Sequence, residues 1–190
     1  MKKVVDSALE EALKALKETV EAQGRVMETI ATSIGSCFEK GGKVFLCGNG
    51  GSAADCQHIA AEFINRFRLD RAPLPAVALT TDTSVLTSIS NDYSFGQVFA
   101  KQIQALGKKG DILWALSTSG SSPNVIDALG VARRLGIVTV GFTGAGKSKM
   151  EQLCDMILKV ASTDTPRIQE VHIFCAHVIC DMVERRLFGE

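Results

Sequence analysis

DILWALSTSGSSPNVIDALGVARRL, residues 111–135, decides how the rest of the chain is read. Asp111 to Leu116 opens on an acid and continues as an unbroken apolar run, the pattern of a strand covered on both faces. Ser117 to Ser122 is a turn of hydroxyl-bearing residues around Gly120. Pro123 to Leu135 has helical spacing, with proline in the first helical turn, where its missing N–H costs nothing. The stretch is therefore strand, turn, helix. The same unit recurs on either side. Apolar runs at Lys43 to Cys47, Pro75 to Thr80, Ile137 to Phe142 and Met156 to Val160 read as further strands. Ser52 to Arg68, Phe95 to Leu106 and Ile168 to Leu187 read as helices. Strands apolar on both faces and alternating with helices imply an α/β fold: a three-layer α/β/α sandwich around a central parallel five-stranded sheet.

The 190 residues are expected to form one domain, residues 41–190 being the α/β core and 1–40 an N-terminal helical segment. In that segment Val5, Leu9, Ala12, Leu13, Leu16, Val20, Val26, Ile30 and Ile34 recur at helical spacing, with Gly24 a candidate break into two helices. Such a stripe must be buried, and another subunit is one place to bury it. A formal net charge of zero with 22% charged residues argues against a broadly basic face, local patches aside, so no nucleic-acid partner is expected. Six cysteines without a CxxC pair read as free buried thiols of a reducing compartment. No apolar stretch approaches the roughly 18 residues of a membrane span, and the N-terminus lacks a secretory apolar core. The expected location is the cytoplasm, with no membrane partner.

Ligands of such sheets bind beyond the carboxyl ends of the strands. Three glycine-rich loops compete there. Gly48-Asn49-Gly50-Gly51-Ser52-Ala53 satisfies a dinucleotide fingerprint, but the ribose-binding acid is misplaced: Asp70 precedes the second strand and Asp82 lies too far on. Residues 141–148, GFTGAGKS, match a Walker A pattern. A P-loop also needs a long helix behind it and a magnesium-holding acid after another strand. Asp155 precedes its strand, so a plain turn with Lys147 in solvent is expected. The Ser117–Ser122 turn can direct hydroxyls and backbone N–H groups at one anion, at the positive end of a helix. A serine-rich turn with an ordinary cap is the alternative.

Here a family resemblance enters. Ser117-Thr118-Ser119-Gly120-Ser121-Ser122-Pro123-Asn124 resembles the STSGxSxN phosphate loop of SIS-domain sugar isomerases. Gly48-Asn49-Gly50-Gly51-Ser52 resembles the GNGGS loop of the phosphoheptose isomerases. The likeness continues through Asn91-Asp92 and Arg167-Ile168-Gln169-Glu170 and covers essentially the whole chain. It implies the SIS fold, flavodoxin-like or Rossmann-like, and interconversion of D-sedoheptulose 7-phosphate with D-glycero-D-manno-heptose 7-phosphate, the first step of ADP-heptose synthesis for lipopolysaccharide core or another surface glycan. It also implies a homotetramer with sites between subunits.

The chain has three histidines. His58 and Glu62 are four apart on one helix and share a face. Gln169, His172 and His177 share the last helix, and helical geometry alone leaves His172 or His177 as the participant. The resemblance selects His58, Glu62, Gln169 and His177 as ligands of a divalent metal, zinc, one per subunit; Glu62 and His177 match the acid/base pair. It assigns phosphate to Ser52, Ser117, Thr118, Ser119 and Ser122, beside Gly50 and Gly51. Asn49, Asn91 and Asp92 are expected on sugar hydroxyls, with Glu62 and Gln169 also at the substrate. Where some members have aspartate before Arg167, this chain has Pro166. The rival reading is a non-catalytic SIS-fold regulator of the replication-initiator-associating type, which lacks the carboxylate and second histidine present here. A pentose or hexose phosphate isomerase is a further rival.

Overall fold

The computed structural model describes residues 1–189. Five strands form one sheet: β1 (Val44–Cys47), β2 (Ala76–Ala78), β3 (Ile112–Leu116), β4 (Val138–Thr143) and β5 (Met156–Lys159). All neighbours run parallel, in the order β2-β1-β3-β4-β5. Six α-helices accompany them: α1 (Lys2–Glu39), α2 (Gly51–Ile64), α3 (Thr83–Asp92), α4 (Val98–Leu106), α5 (Pro123–Arg134) and α6 (Thr165–Phe188). From β1 the chain first steps outward to β2, then crosses back to place β3 on the other side of β1. The expected three-layer parallel sandwich is therefore present, and its topological switch point lies between β1 and β3.

Side-chain alternation along the strands builds two cores. Val44, Leu46, Ile112, Trp114, Leu116, Val140 and Phe142 pack against α1, α2 and α6. Phe45, Cys47, Leu113 and Ala115 pack against α4 and α5. Every residue of β1 and β3 is buried, which accounts for their unbroken apolar sequence. Asp111 enters β3 fully buried, its carboxylate accepting from the Lys43 and Lys108 backbone N–H groups and from Lys43 Nζ, each at 3.0 Å. That acid holds the sheet's lower edge together.

Two local expectations change. The N-terminal segment is a single helix that runs through Gly24 without a break. A glycine inside a helix costs only about 0.5–1 kcal/mol relative to alanine, less than the burial of Met27, Ile30 and Ile34 on the following turns contributes. The second half of α1 is thus part of the core, and Thr19 Oγ1 accepts from the Ala161 backbone at 2.9 Å. The first half leaves Val4, Val5, Leu9 and Leu13 exposed. The other change is α3, whose β-branched and serine-rich sequence gives weak helical periodicity. Asp82, weighed above as a ribose ligand, is its N-cap, accepting from the Val85 backbone at 2.9 Å.

The Walker-like segment is not a nucleotide loop. Beyond β4 it passes into a four-residue 3₁₀ turn, Lys149–Gln152, with no long helix behind it. Asp155 is occupied by the backbone N–H and hydroxyl of Thr139. Lys147 is exposed, as expected.

Candidate active site at the sheet's switch point

The hydroxyl loop follows β3 and enters α5 beside the switch point. Ser117 and Ser122 bond to each other through their hydroxyls at 3.0 Å, closing the loop across its base. Ser122 is the N-cap of α5, yet its hydroxyl caps no backbone N–H. The positive end of a twelve-residue helix therefore faces outward beside Ser117, Thr118, Ser119 and Ser122. Ser117 is buried and Ser119 exposed, giving a cradle with a solvent side.

The Walker-like turn buttresses this loop from behind. Ser148 Oγ donates to the Gly120 carbonyl at 3.0 Å, the Met150 N–H reaches the same carbonyl at 3.3 Å, and the Gly144 N–H bonds the Thr118 carbonyl at 3.1 Å. The other loop is tied in from the side. Asn49 and Asn124 exchange two amide hydrogen bonds, both 2.8 Å, across the gap between β1 and β3. Asn124 is 2% exposed and Ser52 3%. Asn124 was visible in the sequence only as the last letter of a motif. Its partner could not be read there, because the two residues are 75 positions apart.

From this cradle α2 leads to the second part of the site. His58 lies six residues beyond Ser52, about 9 Å along the helix axis. His58 Nε2 is 2.9 Å from Glu62 Oε1, and His177 Nε2, from α6, is 3.2 Å from His58 Nε2. The ligand atoms of His58, Glu62 and His177 all fall within 4.8 Å of one another. Zinc–nitrogen bonds of 2.0–2.1 Å in a tetrahedron place neighbouring donors about 3.3 Å apart. The 3.2 Å between the two imidazole nitrogens is that spacing. Two imidazoles and a carboxylate, partly open to solvent, suit a zinc-like ion with a remaining open position. Burial lowers the His177 pKa, His58 lowers it further, and Glu62 opposes both.

The remaining candidates divide. Gln169, in the first turns of α6, lies directly over Gly51: a Cβ built there would sit 2.5 Å from Gln169 Nε2. Glycine is what lets the Gln169 carboxamide lie this close to the α2 backbone. Gly51→Ala is expected to displace the flexible carboxamide at little cost in stability while lowering turnover about tenfold or more, read as a kcat loss at an unchanged melting temperature. Asn91 and Asp92 are exposed at the end of α3 and hydrogen-bond to each other at 2.9 Å. Among the described residues neither bonds the hydroxyl loop or the histidine cluster. His172 is fully buried, packed on Phe142 at 5.4 Å, with neither ring nitrogen hydrogen-bonded among the described residues. Burial pushes its pKa down to about 4, only partly offset by the nearby Thr143 backbone. It is a neutral core side chain, and His177 is the histidine that meets His58. Sequence reasoning missed Asp55, one turn before His58. Burial raises its carboxyl pKa against the influence of His58, and its Oδ2 has no partner among the described residues. The i, i+3, i+7 spacing of Asp55, His58 and Glu62 was the available signal.

A parallel sheet in this order, with a hydroxyl-lined loop at its switch point, defines a class of protein, and residues 9–144 match the SIS domain family. Relatives over nearly the full length narrow it. The phosphoheptose isomerase of Desulfovibrio desulfuricans is 56% identical over 174 residues, covering 91% of this chain and 83% of that one. That of Roseiflexus sp. is 53% identical over 187 residues, covering 98% and 94%. The solved structure of phosphoheptose isomerase from Neisseria gonorrhoeae matches with a TM-score of 0.92 at 40% identity, covering 96% of this chain and 98% of that one. The chain belongs to the phosphoheptose isomerase family.

Proposed function

We propose that this chain interconverts D-sedoheptulose 7-phosphate and D-glycero-D-manno-heptose 7-phosphate, feeding ADP-heptose synthesis for a surface glycan. The observation that carries this reading is the meeting of His58 and Glu62, on the helix that starts beside the hydroxyl loop, with His177 of α6. An aldose–ketose isomerase of a terminally phosphorylated sugar needs those two parts a sugar chain's length apart. Ser52, Ser117, Thr118, Ser119 and Ser122 hold the phosphate, with the Gly50–Gly51 backbone beside it. Asn49, Asn91 and Asp92 take sugar hydroxyls.

Glu62 removes the proton from C1 of the ketose, giving an enediol, and returns it to C2. His177 passes a proton between O1 and O2, so nothing is gained or lost overall. Glu62 can do this because only Oε1 is engaged with His58, at 2.9 Å; among the described residues Oε2 has no bonded partner. His58, Glu62, Gln169 and His177 would hold one zinc per subunit, and the ion when bound supplies a Lewis acid for negative charge developing on the sugar oxygens. The exposed stripe of Val5, Leu9 and Leu13 on α1 supports assembly of the chain into an oligomer, a homotetramer with sites between subunits. No helix among the described residues is long and apolar enough to cross a membrane; the proposed location is the cytoplasm.

Metal content and turnover of sedoheptulose 7-phosphate, measured before and after chelation, test the proposal. About one zinc per chain, with activity lost on chelation and restored by zinc, is expected. A zinc-loaded chain that does not turn over this substrate would sink the activity. Full turnover by the stripped chain would sink the metal's part in it.

A further inference from the structure

His177 must present Nε2 to His58, and a metal-binding imidazole is ordinarily held in that pose by a hydrogen bond to its other nitrogen. Among the described residues, His177 Nδ1 makes no such bond. What meets the ring is Phe67, stacked nearly parallel on it, with centroids 5.4 Å apart and planes 20° from each other. Phe67 belongs to the turn that follows α2, and that turn is fastened unusually well. The Glu184 carboxylate accepts from the backbone N–H groups of Phe67, Arg68 and Leu69 at 2.8–3.1 Å, and from Arg71 Nε at 3.0 Å. Arg71 in turn bonds the carbonyls of Glu62, Phe63 and Asn65, closing the end of α2. The Glu184 and Arg71 side chains are 1% and 2% exposed. Glu184 lies seven residues beyond His177, two turns along the same face of α6. The Arg68 guanidinium also lies over the Phe67 ring, 5.5 Å from the centroid, and pairs with Asp181 of α6 at 3.7 Å.

We infer that Phe67 is a positioning residue: held on the Glu184–Arg71 anchor, it fixes the plane of the His177 ring so that Nε2 meets His58 and Glu62. The buried pair joins the end of the helix carrying Glu62 to the helix carrying His177, and Phe67 transfers that rigidity to the imidazole. The inference rests on the reading of His58, Glu62 and His177 as a zinc site.

The test is zinc affinity of the metal-free full chain, titrated against a chromophoric chelator, in the wild type, Phe67→Leu and Phe67→Tyr. Leucine keeps apolar packing but has no planar face; tyrosine keeps the ring. Zinc affinity about tenfold weaker in Phe67→Leu, within threefold of wild type in Phe67→Tyr, and equal metal-free melting temperatures for all three are expected. Wild-type affinity in Phe67→Leu overturns the inference, as does a melting temperature that falls in step with affinity, the mark of a merely structural role. A wild-type chain that binds no zinc overturns both this inference and the zinc site beneath it. Tight wild-type binding with no effect at residue 67 overturns this inference alone.

Discussion

Glu62→Gln is expected to leave a folded chain whose turnover falls by about 10²–10⁴-fold, the usual loss when a positioned acid/base group is removed. The substitution keeps the side chain's shape and removes its ability to accept a proton at neutral pH. The fold does not depend on that carboxylate: Arg71 bonds the Glu62 backbone carbonyl at 2.7 Å, and the side chain contacts His58 on a partly open face. Thermal melting should therefore be near normal. Because glutamine is also a weaker metal ligand than a carboxylate, zinc content must be measured on the same sample. A zinc-loaded Glu62→Gln chain that still exchanges substrate C1 hydrogen with deuterated water at the wild-type rate would remove Glu62 as the proton carrier. Low zinc with activity restored by added zinc would assign it to metal binding alone.

The second large effect is expected at Gly120→Ala. Gly120 has φ +60°, a left-handed conformation that costs a residue with a Cβ roughly 1–2 kcal/mol. The new methyl would also lie 1.9 Å from Ser148 Oγ and 2.6 Å from Thr143 Oγ1. The loop cannot swing away cheaply, because the Gly120 N–H bonds the Ser117 carbonyl at 2.9 Å and its own carbonyl is held by Ser148. Overpacking of this kind adds about 1–3 kcal/mol. The summed loss, about 2–5 kcal/mol, should appear as a lower urea midpoint. KM for the sugar phosphate should rise as the hydroxyls of Ser117, Thr118 and Ser119 are displaced. Adding Ser148→Gly should relieve only the Ser148 part of the clash: the Thr143 contact and the backbone share remain, and the Ser148–Gly120 hydrogen bond is lost. An unchanged urea midpoint and KM in Gly120→Ala would mean that the loop is not held as described.

Both predictions use contacts that differ in how far they could be read in advance. The strands were legible because burial on both faces of a parallel sheet demands unbroken apolar runs such as Val44–Cys47 and Ile112–Leu116. The hydroxyl loop was legible because its donors are consecutive. Family resemblance added the pairing of His58 and Glu62 with Gln169 and His177. Helix α3 was missed because its cap, Asp82, precedes a sequence with little apolar periodicity. The candidate break at Gly24 was mistaken because propensity is a small local term, outweighed by the buried turns that follow.

The sequence by itself determined most of the local periods: the five strands, the helices other than α3, which turns carry hydroxyls, and which residues share a helix face. Each depends on neighbours a few positions apart. The tertiary structure decided which of two histidines on α6 would face α2, five positions and about 140° apart on one helix. It also decided that Asn124 would lock Asn49, that a Walker-like turn would serve as a buttress, and that Phe67 would lie on His177. Those outcomes depend on how whole elements pack against one sheet. The distances that matter there are set by the shared core, between residues as far apart as 119 positions.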